Sequence, residues 1–277
     1  MIDHASDPLW LAAIALAMAT TGLAAGLLNG LFGVGGGVVI VPVMSYALPL
    51  LGVDAAVQQK LAVATSLATV VPATGYAAWR HHVLGAVDRR LLGALLPSLA
   101  AGSLIGAGLL LLLRGEALAL IFALVALGIA AHFAVTGESW RLGERLPEGM
   151  ARQAIGAAMG AVSVVMGIGG GTIGVPVMTM FGAPIRAAVA TASVFGIIVS
   201  VPGTLAAIAG GWGDPRLPPL SLGFVSLPGF ALIVPASLLA IPWGVRLAHR
   251  LRPLVLKRLF ALFFLAVGLR MLARALA

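Results

Sequence analysis

The sequence predicts an all-α polytopic membrane protein built as two tandem, inverted repeats, each with about four spanning helices and a glycine-rich broken or re-entrant helix pair. Three observations predict it. Of the 277 residues, 61% are hydrophobic and only 9% charged, with a mean hydropathy of +1.10, whereas a soluble domain carries about 25% charged residues. That much apolar surface needs lipid as its solvent. Next, Gly33-Val34-Gly35-Gly36-Gly37 recurs 134 residues later as Gly167-Ile168-Gly169-Gly170-Gly171, and Val-Pro-Val-Met follows each copy; residues 22–44 and 156–178 share 11 identities in 23 positions. Finally, each glycine run interrupts a long apolar segment. Duplicated breaks at membrane depth mark the substrate site of a secondary transporter.

Low-charge windows of spanning length lie near 9–32, 61–79, 91–113, 117–135, 153–166, 187–209, 220–245 and 259–276. Shorter apolar pieces, 38–52 and 172–185, follow the two glycine runs. Met1 to Pro8 carries Asp3 and Asp7 and no Lys or Arg, unlike the basic start of a signal peptide, so the first window reads as a retained span. The most polar stretch divides the chain: residues 1–135 form the first transmembrane repeat, 136–152 a cytoplasmic linker and 153–277 the second repeat. Gly22 and Gly26 recur as Gly156 and Gly160, and Ser98, Gly102 and Gly106 make a similar stripe; such faces let helices approach closely in lipid. Trp10, Trp79, Trp140, Trp212 and Trp243 fall near span ends, as an aromatic belt requires.

Charge sets the orientation. Two loops are basic, Arg80 to Arg90 and Arg246 to Arg258, and both should be cytoplasmic. If each glycine break were a kink inside one crossing, five crossings would separate these loops and place them on opposite sides. If each break is a hairpin that enters and turns back, six segments separate them and both face inward. Each repeat then has five membrane segments, an odd number, so the second is inverted and both termini lie outside. Twelve of the seventeen basic residues fall inside, while Lys60, Arg114, Arg216, Arg270 and Arg274 fall outside. The simpler alternative is eight full spans with parallel repeats. The net charge of +8 reads as orientation charge in short loops; no nucleic acid is expected as a partner.

Consecutive glycines permit a tight reversal with positive φ and leave backbone N–H groups bare. A helix starting at Val38 or Thr172 would aim its unpaired first-turn amides and positive dipole end at the break. Two such ends make an anion site suited to the oxygens of a sulfonate, sulfite or carboxylate. The plainer alternative is a sharp hairpin with close packing. A dinucleotide fingerprint fails because Val38 stands where its third glycine belongs, and no Gly-Lys-Ser/Thr follows to make a P-loop.

Downstream, Ala62-Val63-Ala64-Thr65 is matched by Ala188-Val189-Ala190-Thr191, with Lys60 and Arg186 two positions ahead of each. Thr65, Ser66, Thr191 and Ser193 could donate to an anion without burying charge; the competing expectation is a bond to their own helix carbonyls. Pro72 and Pro202 would kink these helices and serve as hinges. All nine acids fall in termini or loops, so no buried carboxylate supplies a proton relay or sodium site. His81 and His82 read as solvated in a basic loop, and His132 as interfacial. The absence of cysteine removes disulfides and thiolate metal sites. No catalytic constellation can be assembled, so no enzyme, metal or cofactor is expected.

Two halves carrying Gly-x-Gly-Gly-Gly followed by a proline, with Ala-x-Ala-Thr-Ser in the first half, resemble the TauE/SafE sulfite exporter family of membrane permeases. The resemblance runs from about Leu9 to Leu276. It implies transport of sulfite, sulfoacetate, related sulfonates or other organic anions across a bacterial cytoplasmic (inner) membrane. The site residues it implies are Gly35, Gly36, Gly37, Gly169, Gly170 and Gly171, with Thr65, Ser66 and Thr191. The second half reads Ala190-Thr191-Ala192-Ser193, which shifts Ser193 by one position relative to Ser66. The expected function is a secondary permease or exporter working by alternating access around a midplane site at the two breaks. A passive anion channel is the alternative and a membrane scaffold a third reading. The expected partners are a small anionic substrate and the lipid bilayer, and a homo-oligomer is compatible with the sequence.

Overall fold

The computed structural model describes residues 8–135 and 142–276, and among them the chain is almost entirely helical. In chain order the helices are α1 (Pro8–Phe32), α2 (Gly37–Leu50), α3 (Ala55–Val83), α4 (Arg89–Leu112), α5 (Gly115–Val135), α6 (Met150–Met166), α7 (Gly171–Met180), α8 (Ile185–Gly210), α9 (Leu227–Arg250) and α10 (Pro253–Leu276). The polytopic all-α prediction holds. Seven of these helices, namely α1, α3, α4, α5, α6, α8 and α9, are long and apolar enough to cross a membrane. Helix α10 has the length but carries Lys257, Arg258, Arg270 and Arg274. The window expected from 220 begins differently: β1 (Ser221–Leu222) and β2 (Val225–Ser226) form a small antiparallel hairpin ahead of α9. Part of the 136–152 linker, with Trp140, lies outside the described residues, as do Asp3 and Asp7.

Helix starts follow local chemistry. Asp54 caps α3 by accepting from the Ala56 amide at 2.8 Å, and Asp88 caps α4 by accepting from Arg90 and Leu91. Ser226 accepts from Gly229 at the start of α9. Each such cap contributes on the order of 1 kcal/mol. Glu116 sits in the first turn of α5 rather than in a loop, where a negative charge suits the helix dipole.

Contacts between helices fix their directions. Gly22 lies against Ile233, Gly26 against Ser237 and Gly30 against Ile241, so α1 and α9 run parallel. Gly156 lies against Ser98 and Gly160 against Leu99 and Ser103, so α6 and α4 are parallel too. The small-residue faces thus act as packing surfaces, each letting one half grip a helix of the other. Gly203 meets Leu67 and Gly196 meets Thr74, so α3 and α8 cross antiparallel at the centre. The Phe133 ring lies 4.9 Å from that of Phe260, tilted by 50°, while Gly268 meets Leu127, making α5 and α10 antiparallel.

The helices after the glycine runs double back. Gly37 lies by Ser66, and Ser45 bonds Gln59 at 2.8 Å, so α2 is antiparallel to α3. Thr65 contacts Ser226 while His81 faces His249, which makes α3 parallel to α9 and hence to α1. Therefore α2 retraces part of α1. In the other half, Gly170 lies by Val199 and Gly174 by Phe195, so α7 runs back along α8.

Candidate functional site

Both glycine runs are wholly buried. In the first, Gly33, Gly35 and Gly36 take φ of +68°, +79° and +80°; in the second only Gly167 is left-handed, at +70°. A residue with a Cβ would be strained at each of these positions. The two runs meet backbone to backbone. A Cβ at Gly35 would lie 3.0 Å from Gly169, one at Gly37 would overlap the Gly167 carbonyl, and one at Gly171 would overlap the Gly33 carbonyl. Gly36 and Gly170 face elsewhere: their Cβ positions fall 3.0 Å from Ala25 and 2.7 Å from Phe195. Close approach is therefore one reason for glycine at all six expected positions. The first turns of α2 and α7 start at this crossing, where the Val39 amide donates to the Gly36 carbonyl at 3.0 Å and the Thr172 amide to the Gly169 carbonyl at 3.2 Å.

The four expected hydroxyls are fully buried, and the structure gives each a bond within the protein. The Ser66 hydroxyl donates to the Gly167 carbonyl at 2.6 Å, tying α3 to the second break. Ser193 donates to Val189 four residues back at 3.1 Å, the local bond weighed for these hydroxyls. Thr65 accepts from the Ser226 amide and Thr191 from the Asp88 amide, both at 2.9 Å. Those amides belong to the N-cap residues of α9 and α4, so the two threonines perform matching jobs. Each bond clamps a helix of one half to a helix of the other. Lys60 and Arg186 also match: Lys60 donates to the Leu111 carbonyl at 2.6 Å and Arg186 to Leu251 at 3.0 Å. Cations so placed satisfy carbonyls at the ends of α4 and α9.

Sequence reasoning missed three buried polar side chains beside the breaks. Asn29, the only asparagine of the chain, is fully buried four residues before Gly33. Its Oδ1 accepts from the Gly35 amide at 2.8 Å, while its Nδ2 has no partner. Ser163 occupies the corresponding place four residues before Gly167, also fully buried, and its hydroxyl is likewise unpaired. Thr172, in the first turn of α7, is a third buried hydroxyl without a partner. Leaving such a group unpaired costs about 1–3 kcal/mol. The signal was available: a lone amide within the first apolar window cannot face lipid cheaply. Ser200 and Thr204, flanking Pro202, also carry unpaired hydroxyls.

The histidine expectation is corrected for His81. It is buried at the end of α3 and lies 3.4 Å from His249 of α9, because α3 extends past the expected window and draws the ring between helices. His82 is exposed as expected, and His132 is partly buried with its ring edge-on to Phe133. Trp79, Trp212 and Trp243 are well exposed near helix ends or in a loop, consistent with the aromatic belt. Among the described residues, no three acids or histidines cluster as a metal set.

Duplicated buried breaks with unpaired donors thus sit inside a bundle of membrane-length helices. A family profile described as Sulfite exporter TauE/SafE matches residues 18–271. The chain belongs to the TauE/SafE family. A curated relative from Haemophilus influenzae, named Probable membrane transporter protein, is 32% identical over 250 residues, covering 90% of this chain and 95% of its own. No solved structure matches. This TauE/SafE member is thus a multi-pass membrane transporter. Asn29 and Ser163 are identified by their burial and missing partners.

Proposed function

We propose that this TauE/SafE protein is a secondary carrier, not an enzyme, for small sulfur-containing or organic anions such as sulfite, sulfoacetate or other sulfonates. It works in a bacterial cytoplasmic membrane by alternating access of two inverted repeats, 1–135 and 153–277, with both termini outside. One observation carries the reading: Asn29 Nδ2 and Ser163 Oγ are buried, unpaired donors at corresponding positions beside the two crossing breaks. An oxyanion would satisfy both, and the dipole ends of α2 and α7 would favour its charge. Thr172 adds a third donor. Gly35, Gly37, Gly169 and Gly171 bring the backbones together around this point, while Gly36 and Gly170 set the turns.

The antiparallel crossing of α3 with α8 and of α5 with α10, each a pair of corresponding helices, supports the inverted relation. So do the matched bonds of Thr65 and Thr191. Pro72 and Pro202 lie where α3 and α8 pass the crossing, and bending there would open one side or the other. Ser66, bonded to the Gly167 carbonyl, would be the hydroxyl that exchanges that bond for a substrate oxygen as the hairpin moves.

The test is counterflow with purified protein in liposomes, screening sulfite, sulfoacetate, other sulfonates, thiosulfate and dicarboxylates. Saturable counterflow of an anion is the expected result. Flux that never saturates and follows voltage would replace the carrier by an anion channel.

A further inference from the structure

A second polar site lies away from the glycine crossing, where α3 and α5 begin and α4 and α10 end. A cavity of about 540 Å³ opens there, with Ala56, Gln59, Lys60, Arg114, Glu116 and Arg274 in its wall. Among the lining residues three are cations, Lys60, Arg114 and Arg274, and one is an acid, Glu116; Asp214 lies outside the lining but within coulombic reach of Lys60. The Lys60 ammonium is held by the Leu111 carbonyl, and the Arg274 guanidinium by the Ser45 carbonyl and, at 3.4 Å, by Gln58. These bonds satisfy some N–H groups and fix the positions of the charges without neutralising them. Arg114 is exposed at the α4–α5 turn. Gln59 is 6% exposed; its Oε1 accepts from Ser45, and its Nε2 is buried with no partner. The first turn of α5 begins at the same wall, at Gly115 and Glu116.

We propose that this cavity captures small oxyanions on the face opposite the basic loops 80–90 and 246–258. Fixed positive charge, a fixed unpaired amide and a helix N-terminus converge on a recess wide enough for a tetrahedral or pyramidal oxyanion. Arg114 supplies the mobile charge that draws the anion in, Lys60 and Arg274 hold the static field, and Gln59 offers a donor at the wall. Glu116 lowers the affinity, which keeps release fast. Capture stands independently of the carrier reading, and its test reads occupancy of the cavity rather than transport.

The native chain has no cysteine, so Ala56→Cys places a single reporter on the cavity wall. Leu50→Cys, at a position 68% exposed and outside the lining, serves as the control. Each is labelled in turn by an anionic and a cationic methanethiosulfonate at low ionic strength. The anionic-to-cationic rate ratio should be about 3- to 10-fold higher at position 56 than at position 50. Sulfate should slow labelling at 56 along a saturating curve, while chloride at matched ionic strength should not. Arg114→Gln should lower the ratio and Glu116→Gln should raise it, a pair of opposite shifts that misfolding cannot mimic. Equal ratios at the two positions, or equal slowing by sulfate and chloride, would overturn the proposal. So would a transport-competent protein whose position 56 is indifferent to both charge substitutions.

Discussion

The first glycine break and the second are nearly identical in sequence, yet they are built differently. Residues 33–37 use three left-handed glycines and lead into a 14-residue helix; residues 167–171 use one and lead into a helix of 10. Gly36 enters α2 with φ of 80°, whereas Gly170 enters α7 with φ of −53°. Ser66 reaches across to the second break, while Ser193 bonds its own helix. Away from the tips the two halves match closely, through Thr65 with Ser226 against Thr191 with Asp88, and Lys60 with Leu111 against Arg186 with Leu251. The scaffold is symmetric where it holds and asymmetric where it turns. In the proposed alternation of access, the matched clamps would hold the two halves while the differing breaks face the substrate.

The largest expected effect comes from filling the crossing itself. Gly37→Ala and Gly171→Ala each drive a Cβ into the opposite break's carbonyl, so both should fall in folded yield, by about 1–3 kcal/mol or more. Gly128→Ala, where nothing lies within 4 Å, should melt like the parent. Thermal melting in detergent checks the contrast; indifference at both crossing positions would mean that the breaks do not touch.

Next come the clamps. Thr65→Val and Thr191→Val each strand a backbone amide and should destabilise by about 1–3 kcal/mol. Their losses should agree with each other, because their bonds correspond. A large inequality between the two melting shifts would break the scaffold symmetry.

Ser163→Ala should separate function from stability. Its hydroxyl has no partner to lose, so the melting point should hold or rise. Affinity for a transported anion should fall about tenfold, the equivalent of about 1.4 kcal/mol for a hydrogen bond to charge. Unchanged affinity would remove Ser163 from the site.

The smallest effect lies in the loop before α9. Hydrogen bonds from the Arg216 side chain and backbone hold the Asp214 carboxyl down at about 2, below its ordinary value near 4. A depressed folded-state value gives stability that is complete above the ordinary value and disappears as pH falls toward 2. The pair should therefore add no pH dependence between about pH 5 and 8. Melting of Asp214→Asn against the parent should show a small, constant gap that closes only below about pH 4; a gap that changes near neutrality would contradict this.

Much of the fold was legible because lipid constrains it severely. Apolar windows located most of the helices, and placing both basic loops on one side favoured hairpins at the glycines; α2 runs back along part of α1. The site was legible less evenly. The repeated glycines announced the crossing, since close backbone contact tolerates no side chain there. The hydroxyls were ambiguous because serine and threonine can bond their own helix, a neighbour or a ligand, and only packing separates these. Thr65 and Thr191 became clamps because the N-caps of α9 and α4 lie against them, a contact between residues over 100 positions apart. His81 read as solvated because its sequence neighbours are basic, yet the helix carries it inward. Asn29 is inconspicuous in the sequence because its counterpart in the second half is a serine, Ser163, so no repeated motif contains it.

Counterflow by Asn29→Asp tests the central claim most directly. The aspartate keeps the oxygen that accepts from the Gly35 amide but replaces the unpaired donor with negative charge. With an anion that the parent exchanges saturably, and with a variant that melts as a folded protein, exchange should be abolished. Exchange at the parent rate by that folded variant would show that the anion does not bind beside the first glycine break.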